Sequence, residues 1–334
     1  MRALPSGLIA LSGMIAACLL AGCATGAAES PTGPSEPGVS SASVVPARTP
    51  PPAVHSSTPT RATRTSSPAP STPTTSTSRS GTKRPPVRTS GPVAAAGDIG
   101  RRAAAAVRYA NERGMTSGVA VLDTRTNRLY TAGNSTGYYA SASVVKTLIA
   151  ARLLIEGRMH GSVAAKARAM ITHSDNDAAW DLYPSVGKDA LLPWMERHYG
   201  IEIGAPPTMP GIWGSTQISA RGIVTFYAAV RHDKAVWPWL SKAMHDYAPR
   251  SSSGEPNLFG IAVPAPAAAV KNGWDTNRDV KAPSNAIVNS TGFVQGDRYA
   301  VAILSEGAGS LYYSGGERIV TGEATILLPH GRVG

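Results

Sequence analysis

A chain of 334 residues is long enough for one large domain or two ordinary ones, and its formal net charge is +11. Both cysteines, Cys18 and Cys23, lie near the start, which excludes a disulfide, a thiolate nucleophile or a Cys-ligated zinc site anywhere beyond Cys23. Residues 97–334 hold 24 Lys and Arg against 19 Asp and Glu, so much of the basicity sits in the first 96 residues and the rest gives no case for nucleic-acid binding.

In chain order, Arg2 is a short basic n-region and Leu8 to Leu20 an apolar h-region. The run is short and broken by Ser12 and Gly13, which argues against a full membrane span. It ends in Leu20-Ala21-Gly22-Cys23, which resembles the lipobox of bacterial lipoproteins. That resemblance implies that residues 1–22 are a signal peptide and that Cys23 is lipidated. The mature chain would then be extracytoplasmic and held to a membrane through that lipid. An ordinary secretory signal, with Cys23 as a small apolar residue, is the alternative. Residues 23–96 are rich in Ser, Thr, Pro, Ala and Gly and carry no apolar period, so they cannot bury enough surface to fold. At about 3 Å per residue where polyproline-like, such a stalk reaches on the order of 200 Å.

Residues 97–334 read as one folded domain. Helical spacing from Asp98 to Arg113 is followed by a strand at Gly118 to Asp123 and a hairpin return at Arg128 to Ala132. A nearly all-apolar helix opens at Ser143 and closes at Gly157, as befits the middle of a domain. Helices are predicted over Val163 to Ile171, Asp177 to Tyr183, Ala190 to Tyr199 and Ser219 to Val230, with a loop at Ala205 to Gly214. Strands follow around Val270, at Ala286 to Val294 and at Arg298 to Leu304, then a helix at Gly316 to Leu328. Two strands before the helical block and three after it predict an α+β fold. Its five-stranded antiparallel sheet would be assembled from both ends of the chain.

Ser143 and Lys146 stand three residues apart, on one face of a first helical turn. A hydroxyl and an amine at the head of a buried helix suit a nucleophile with its base. Ser-x-x-Lys alone is weak, and it recurs at Ser80 to Lys83 and Ser185 to Lys188. Order strengthens it: Ser174-Asp175-Asn176 follows, then Lys271-Asn272-Gly273 ahead of two strands. In these elements the chain resembles class A β-lactamases and the related penicillin-binding proteins, with S-x-x-K, S-D-N and K-T-G. The resemblance implies a β-lactamase-like fold and an acyl-enzyme on Ser143, with Lys146 as base and Ser174 passing the proton to the leaving nitrogen. It further implies that Asn176 holds the substrate amide, that Lys271 and Asn272 line the sheet edge and bind a substrate carboxylate, and that Gly273 and Trp274 also bind substrate. The backbone N–H groups of Ser143 and Trp274 would receive the oxyanion. It implies no cofactor and no metal; His160, His198, His232 and His245 form no metal spacing. A monomer is expected.

Three departures qualify this reading. Ser143 and Ser174 are closer in sequence than in the family, so the helical subdomain is reduced. Asn272 replaces the hydroxyl residue of K-T-G. The loop where class A enzymes carry the deacylating glutamate reads Pro206-Pro207-Thr208-Met209-Pro210-Gly211-Ile212-Trp213-Gly214, without a carboxylate. Glu202 is the nearby acid and His173 a nearby ring; both are read as bystanders. The expectation is a lipid-anchored serine hydrolase acting on a peptidoglycan-type or β-lactam-like amide with weak or no β-lactamase turnover. The alternatives are a degenerate wall-binding lipoprotein and an active class A-like β-lactamase.

Overall fold

The computed structural model describes residues 98–277, 285–311 and 314–333; the expected signal peptide, Cys23 and the stalk lie outside the described residues. After helix α1 (Asp98–Asn111) come β1 (Met115–Asp123) and β2 (Arg128–Gly133). Strands β6 (Ala269–Asn277), β7 (Asn285–Val294) and β8 (Tyr299–Gly307) come late, before the last helix α8 (Ser314–Leu327). They form one five-stranded sheet in the order β2-β1-β8-β7-β6, every neighbour antiparallel. The chain closes on itself at β1–β8, and β6 is left as an edge.

Strand alternation sorts the core into two layers. Val119, Val121, Val301 and Ile303 face α1 and α8, where Ala103, Val107, Val320 and Leu327 meet them. Ala120, Leu122, Ala302 and Leu304 face the other way, onto α2 (Lys146–Ile155) and the helical block. That block is α3 (Gly161–Thr172), α4 (Asn176–Leu182), α5 (Leu191–Tyr199), α6 (Ala220–Arg231) and α7 (Trp237–His245). Helix α2 is thus sandwiched between sheet and helices, which is why Leu148, Ile149, Ala150, Ala151 and Leu153 are all fully buried.

Three details differ from the sequence reading. Ser143 lies in a short 3-10 helix (Ala142–Val145), with the α-helix proper starting at Lys146. Helix α7 was not anticipated: its Trp237-Pro238-Trp239 start looks like a loop, although Pro is well suited to a helix's first turn. A small ribbon of β3 (Tyr139–Ala140), β5 (Gln217–Ile218) and β4 (Gly204–Ala205) is likewise too short to leave a period.

Under the sheet, Glu323 of α8 is fully buried and accepts hydrogen bonds from the Ser117 hydroxyl and, at 3.0 Å, from Ser305. Burial outweighs those bonds and pushes its carboxyl from 4.5 up to about 8. Between those values the folded chain keeps a proton that the unfolded chain has lost, so this group makes stability fall as pH rises through that window. Glu323→Gln removes the titration. The melting-temperature difference between the two proteins should therefore move in favour of the variant from about pH 5 to about pH 8. A pH-independent difference would show that Glu323 does not hold its proton.

Candidate active site

Strand pairing delivers the backbone just before Ser143. β3 leads into Ser141, whose N–H donates to Thr216 O at 2.7 Å. From β7, the buried Asn289 amide donates to Ala140 O at 2.9 Å and Ser141 O at 3.2 Å. Ala142 is then held at φ 44°, a conformation non-glycine residues rarely adopt. Ser143 follows, 7% exposed. The edge strand β6 comes so close here that a Cβ on Gly273 would stand 2.9 Å from Ser143 N. Any side chain at Gly273 would push the strand off the serine.

The second element lies between α3 and α4. Ala248 N–H and Ser252 N–H pin Thr172 O and His173 O at 2.7 and 2.8 Å. Asp175 caps α4, its Oδ1 accepting from Ala178 N at 2.8 Å. Ser174 is forced to φ 53°. Positive φ at a non-glycine costs about 1–3 kcal/mol and persists only where surroundings impose it.

These constraints converge on Lys146. Its Nζ donates to Ser174 O at 2.7 Å and to Asn176 Oδ1 at 2.7 Å, with Ser174 Oγ at 3.5 Å. Lys271 Nζ donates to Ser174 Oγ at 2.9 Å and to Asn272 O at 2.9 Å. Both lysines are within 1% of complete burial. Burial first, and then the Lys271 ammonium, push Lys146 well below the ordinary lysine range, with Asp175 pulling weakly the other way. Burial alone brings Lys271 down to about 7. The Trp213 ring, its centroid 4.6 Å from Lys146 Nζ, favours the charged amine by about 0.5–2 kcal/mol. Full burial of an ammonium costs several kcal/mol, so desolvation wins. A neutral amine has two N–H groups and one lone pair. In that neutral form Ser174 O and Asn176 Oδ1 would use both N–H groups and leave the lone pair for a hydroxyl proton.

The residues expected from the sequence fall in different places. Ser143, Lys146, Ser174, Asn176, Lys271 and Gly273 are gathered at this one point of the fold. Asn272 is not a ligand-facing residue, contrary to expectation. Its Nδ2 donates to Asn257 O at 2.9 Å and Phe259 O at 3.1 Å, and its Oδ1 accepts from Ser290 Oγ at 2.8 Å. Alternation along β6 turns it to the α1–α8 side. Trp274 turns the same way, its indole edge-on to Phe259 at 5.8 Å. His173 is exposed and bonded to Thr172 Oγ1 at 2.8 Å, and Glu202 meets the Tyr138 hydroxyl at 3.3 Å on the surface.

Several residues around the site were not singled out beforehand. Asn289-Ser290-Thr291 interrupts an apolar strand with three polar residues, all fully buried, and each supports the site. Thr291 Oγ1 donates to Lys271 O at 2.9 Å. Trp213, in the carboxylate-free loop, lays its ring over Lys146. Asp275, exposed on β6, brings Oδ2 to 3.5 Å from where a Cβ on Gly214 would be. Among the described residues no group of three or more His, Cys, Asp or Glu could hold a metal ion.

Comparison with solved structures decides the architecture. The TLA-1 extended-spectrum β-lactamase superposes with a TM-score of 0.54 at 14% identity, covering 70% of this chain and 99% of that one. A β-lactamase from Burkholderia vietnamiensis gives 0.54 at 16% identity, covering 68% and 95%. The fold is β-lactamase-like. An ancestral class A β-lactamase fits with a TM-score of 0.51 at 17% identity, covering 68% of this chain and 98% of that one. No family model matches the chain. The chain is 32% identical over 192 residues to a putative lipoprotein, LppW, of Mycobacterium bovis and equally to that of Mycobacterium tuberculosis. That match takes in 53% of this chain and spans 60% of the length of those curated relatives.

Because Asn272 closes a buried hydrogen-bond set, Asn272→Ala should cost about 1–3 kcal/mol of stability, read as a lowered urea midpoint at unchanged slope. An unchanged midpoint would place its amide outside the β-lactamase-like framework.

Proposed function

We propose that this protein is an extracytoplasmic, lipid-anchored serine hydrolase that forms an acyl-enzyme on Ser143. The observation that carries the proposal is the buried Lys146 amine, with both N–H groups engaged and a second lysine on the neighbouring serine. The Ser143 hydroxyl proton passes to Lys146 Nζ as Ser143 Oγ bonds to the substrate carbonyl carbon. The C–N bond then breaks, and the proton reaches the leaving nitrogen through Ser174 Oγ. Asn176 accepts from Lys146 through Oδ1, which leaves its Nδ2 to donate to a substrate carbonyl. Lys271 favours a substrate carboxylate, and the N–H of Ser143, beside Gly273, favours an oxyanion. The substrate class is a peptidoglycan-type or β-lactam-like amide bearing a carboxylate. The Leu20-Ala21-Gly22-Cys23 sequence and the relatives named putative lipoproteins support the membrane anchor on Cys23.

Release of the acyl group needs an activated water. The loop that would carry a base has none and lays Trp213 over Lys146, so the acyl-enzyme should persist. One observation favours turnover instead: the Asp275 carboxylate beside Gly214. Nitrocefin hydrolysis that disappears in Asp275→Asn would support that second reading.

Incubation with a penicillin followed by intact mass measurement should show one covalent adduct, absent from Ser143→Ala. No adduct, or one that survives Ser143→Ala, ends the covalent reading. The acylation rate at saturating penicillin should also rise with pH as Lys146 loses its proton. Lys271→Gln removes a charge that holds Lys146 low, so the midpoint of that rise should move to higher pH. A downward shift would contradict this account.

A further inference from the structure

A second polar cavity, of about 570 Å³, opens where three connections meet. They are the β1–β2 turn, the β7–β8 turn and the turn that follows α8. Arg125, Arg298, Arg332 and His330 line it, and the short Pro264-Ala265-Pro266-Ala267-Ala268 segment forms its wall. It shares no lining residue with the Ser143–Lys146–Lys271 cluster. We propose that this cavity binds a phosphoryl anion.

Charge is the first reason. Three arginines line the cavity and no acidic residue does. Asp123, the acid beside it, is spent on Arg298 NH2 at 2.8 Å and on the N–H groups of Arg125 and Thr126. Asp297, in the same turn, faces His245 Nε2 at 3.2 Å and Ser241 Oγ at 3.2 Å instead. Arg125 and Arg332 have no acid to neutralise them among the described ion pairs.

Arg298 is the second reason. Its guanidinium is fixed by Asp123 on one edge and by the Tyr299 ring, 4.7 Å away. Its carbonyl accepts from Thr124 N at 2.9 Å and Thr124 Oγ1 at 2.7 Å, so the backbone beneath it is fixed too. Yet Arg298 Nε is buried with no hydrogen-bond partner. A buried donor without an acceptor is destabilising, and an anion oxygen would satisfy it.

The backbone is the third reason. His330 at φ 56° and Gly331 at φ 73° bend the chain so tightly that a Cβ on Gly331 would lie 2.4 Å from Pro264 O. That bend presents Arg332 at the cavity. Planar guanidinium forks on several sides match a tetrahedral anion with three or four acceptor oxygens better than a carboxylate, which fills one fork.

The test uses the full chain, ¹⁵N-labelled, with arginine Nε–H resonances followed by NMR at low salt. Inorganic phosphate should shift the Arg298 Nε–H signal saturably, and acetate at equal ionic strength should not. A poly(glycerol phosphate) oligomer that binds more tightly than inorganic phosphate identifies a polymer phosphodiester as the source; the reverse order identifies a free phosphate. Both arms support the site. The exposed pair Arg125→Gln and Arg332→Gln together should weaken phosphate by at least about tenfold. Arg298→Lys, which keeps the charge and loses the fork, should also weaken it. Lys271→Gln should leave phosphate affinity here unchanged. A non-saturating shift, an equal response to acetate, or unchanged affinity in the arginine variants would overturn the proposal.

Discussion

The structure turns on keeping one amine dry. Lys146 is placed where water cannot solvate its charge and where a second ammonium opposes it. Such a group is a liability in an ordinary core, because a buried ammonium without a counter-ion costs several kcal/mol. Loss of its proton would relieve that cost, and burial shifts Lys146 in that direction. The two acceptors at 2.7 Å satisfy what the neutral amine can still donate. The same arrangement that makes the residue tolerable in the fold suits it to the base role proposed for it.

Much of the architecture serves that arrangement. The sheet supplies Lys271 from its edge strand, and β7 braces both sides through Asn289 to the Ser143 segment and Thr291 to Lys271. The helical block supplies Ser174 and Asn176, with the Ser174 backbone in a strained conformation that aims its carbonyl at Lys146. Two non-glycine residues with positive φ, Ala142 and Ser174, flank the amine in space. The wall over it is an indole, not an acid.

The order of elements and the sheet built from both chain ends were legible because long strands and an all-apolar helix leave clear periods. Ser143, Lys146, Ser174 and Lys271 could be picked out because the order of their motifs resembles a known set, although the Ser143–Ser174 interval is shorter. Asn272 was misread, since a motif fixes position while strand alternation fixes which way a side chain turns. Trp213 over Lys146 and Asp275 beside Gly214 depend on how a loop without periodicity lies across the helix head. Asn289-Ser290-Thr291 was visible as a polar interruption of an apolar strand, but its partners at Ala140, Ser141 and Lys271 are up to 149 positions away in sequence. Glu323 lay unseen in an amphipathic helix because the hydroxyls that hold it come from β1 and β8.

The central claim is the neutrality of Lys146, and its most direct measurement is the titration of its ε-amine by ¹⁵N and ¹³C NMR in lysine-labelled protein, assigned with Lys146→Arg. The account predicts a resonance that titrates well below the ordinary lysine range. A Lys146 signal that stays protonated into that ordinary range would contradict it.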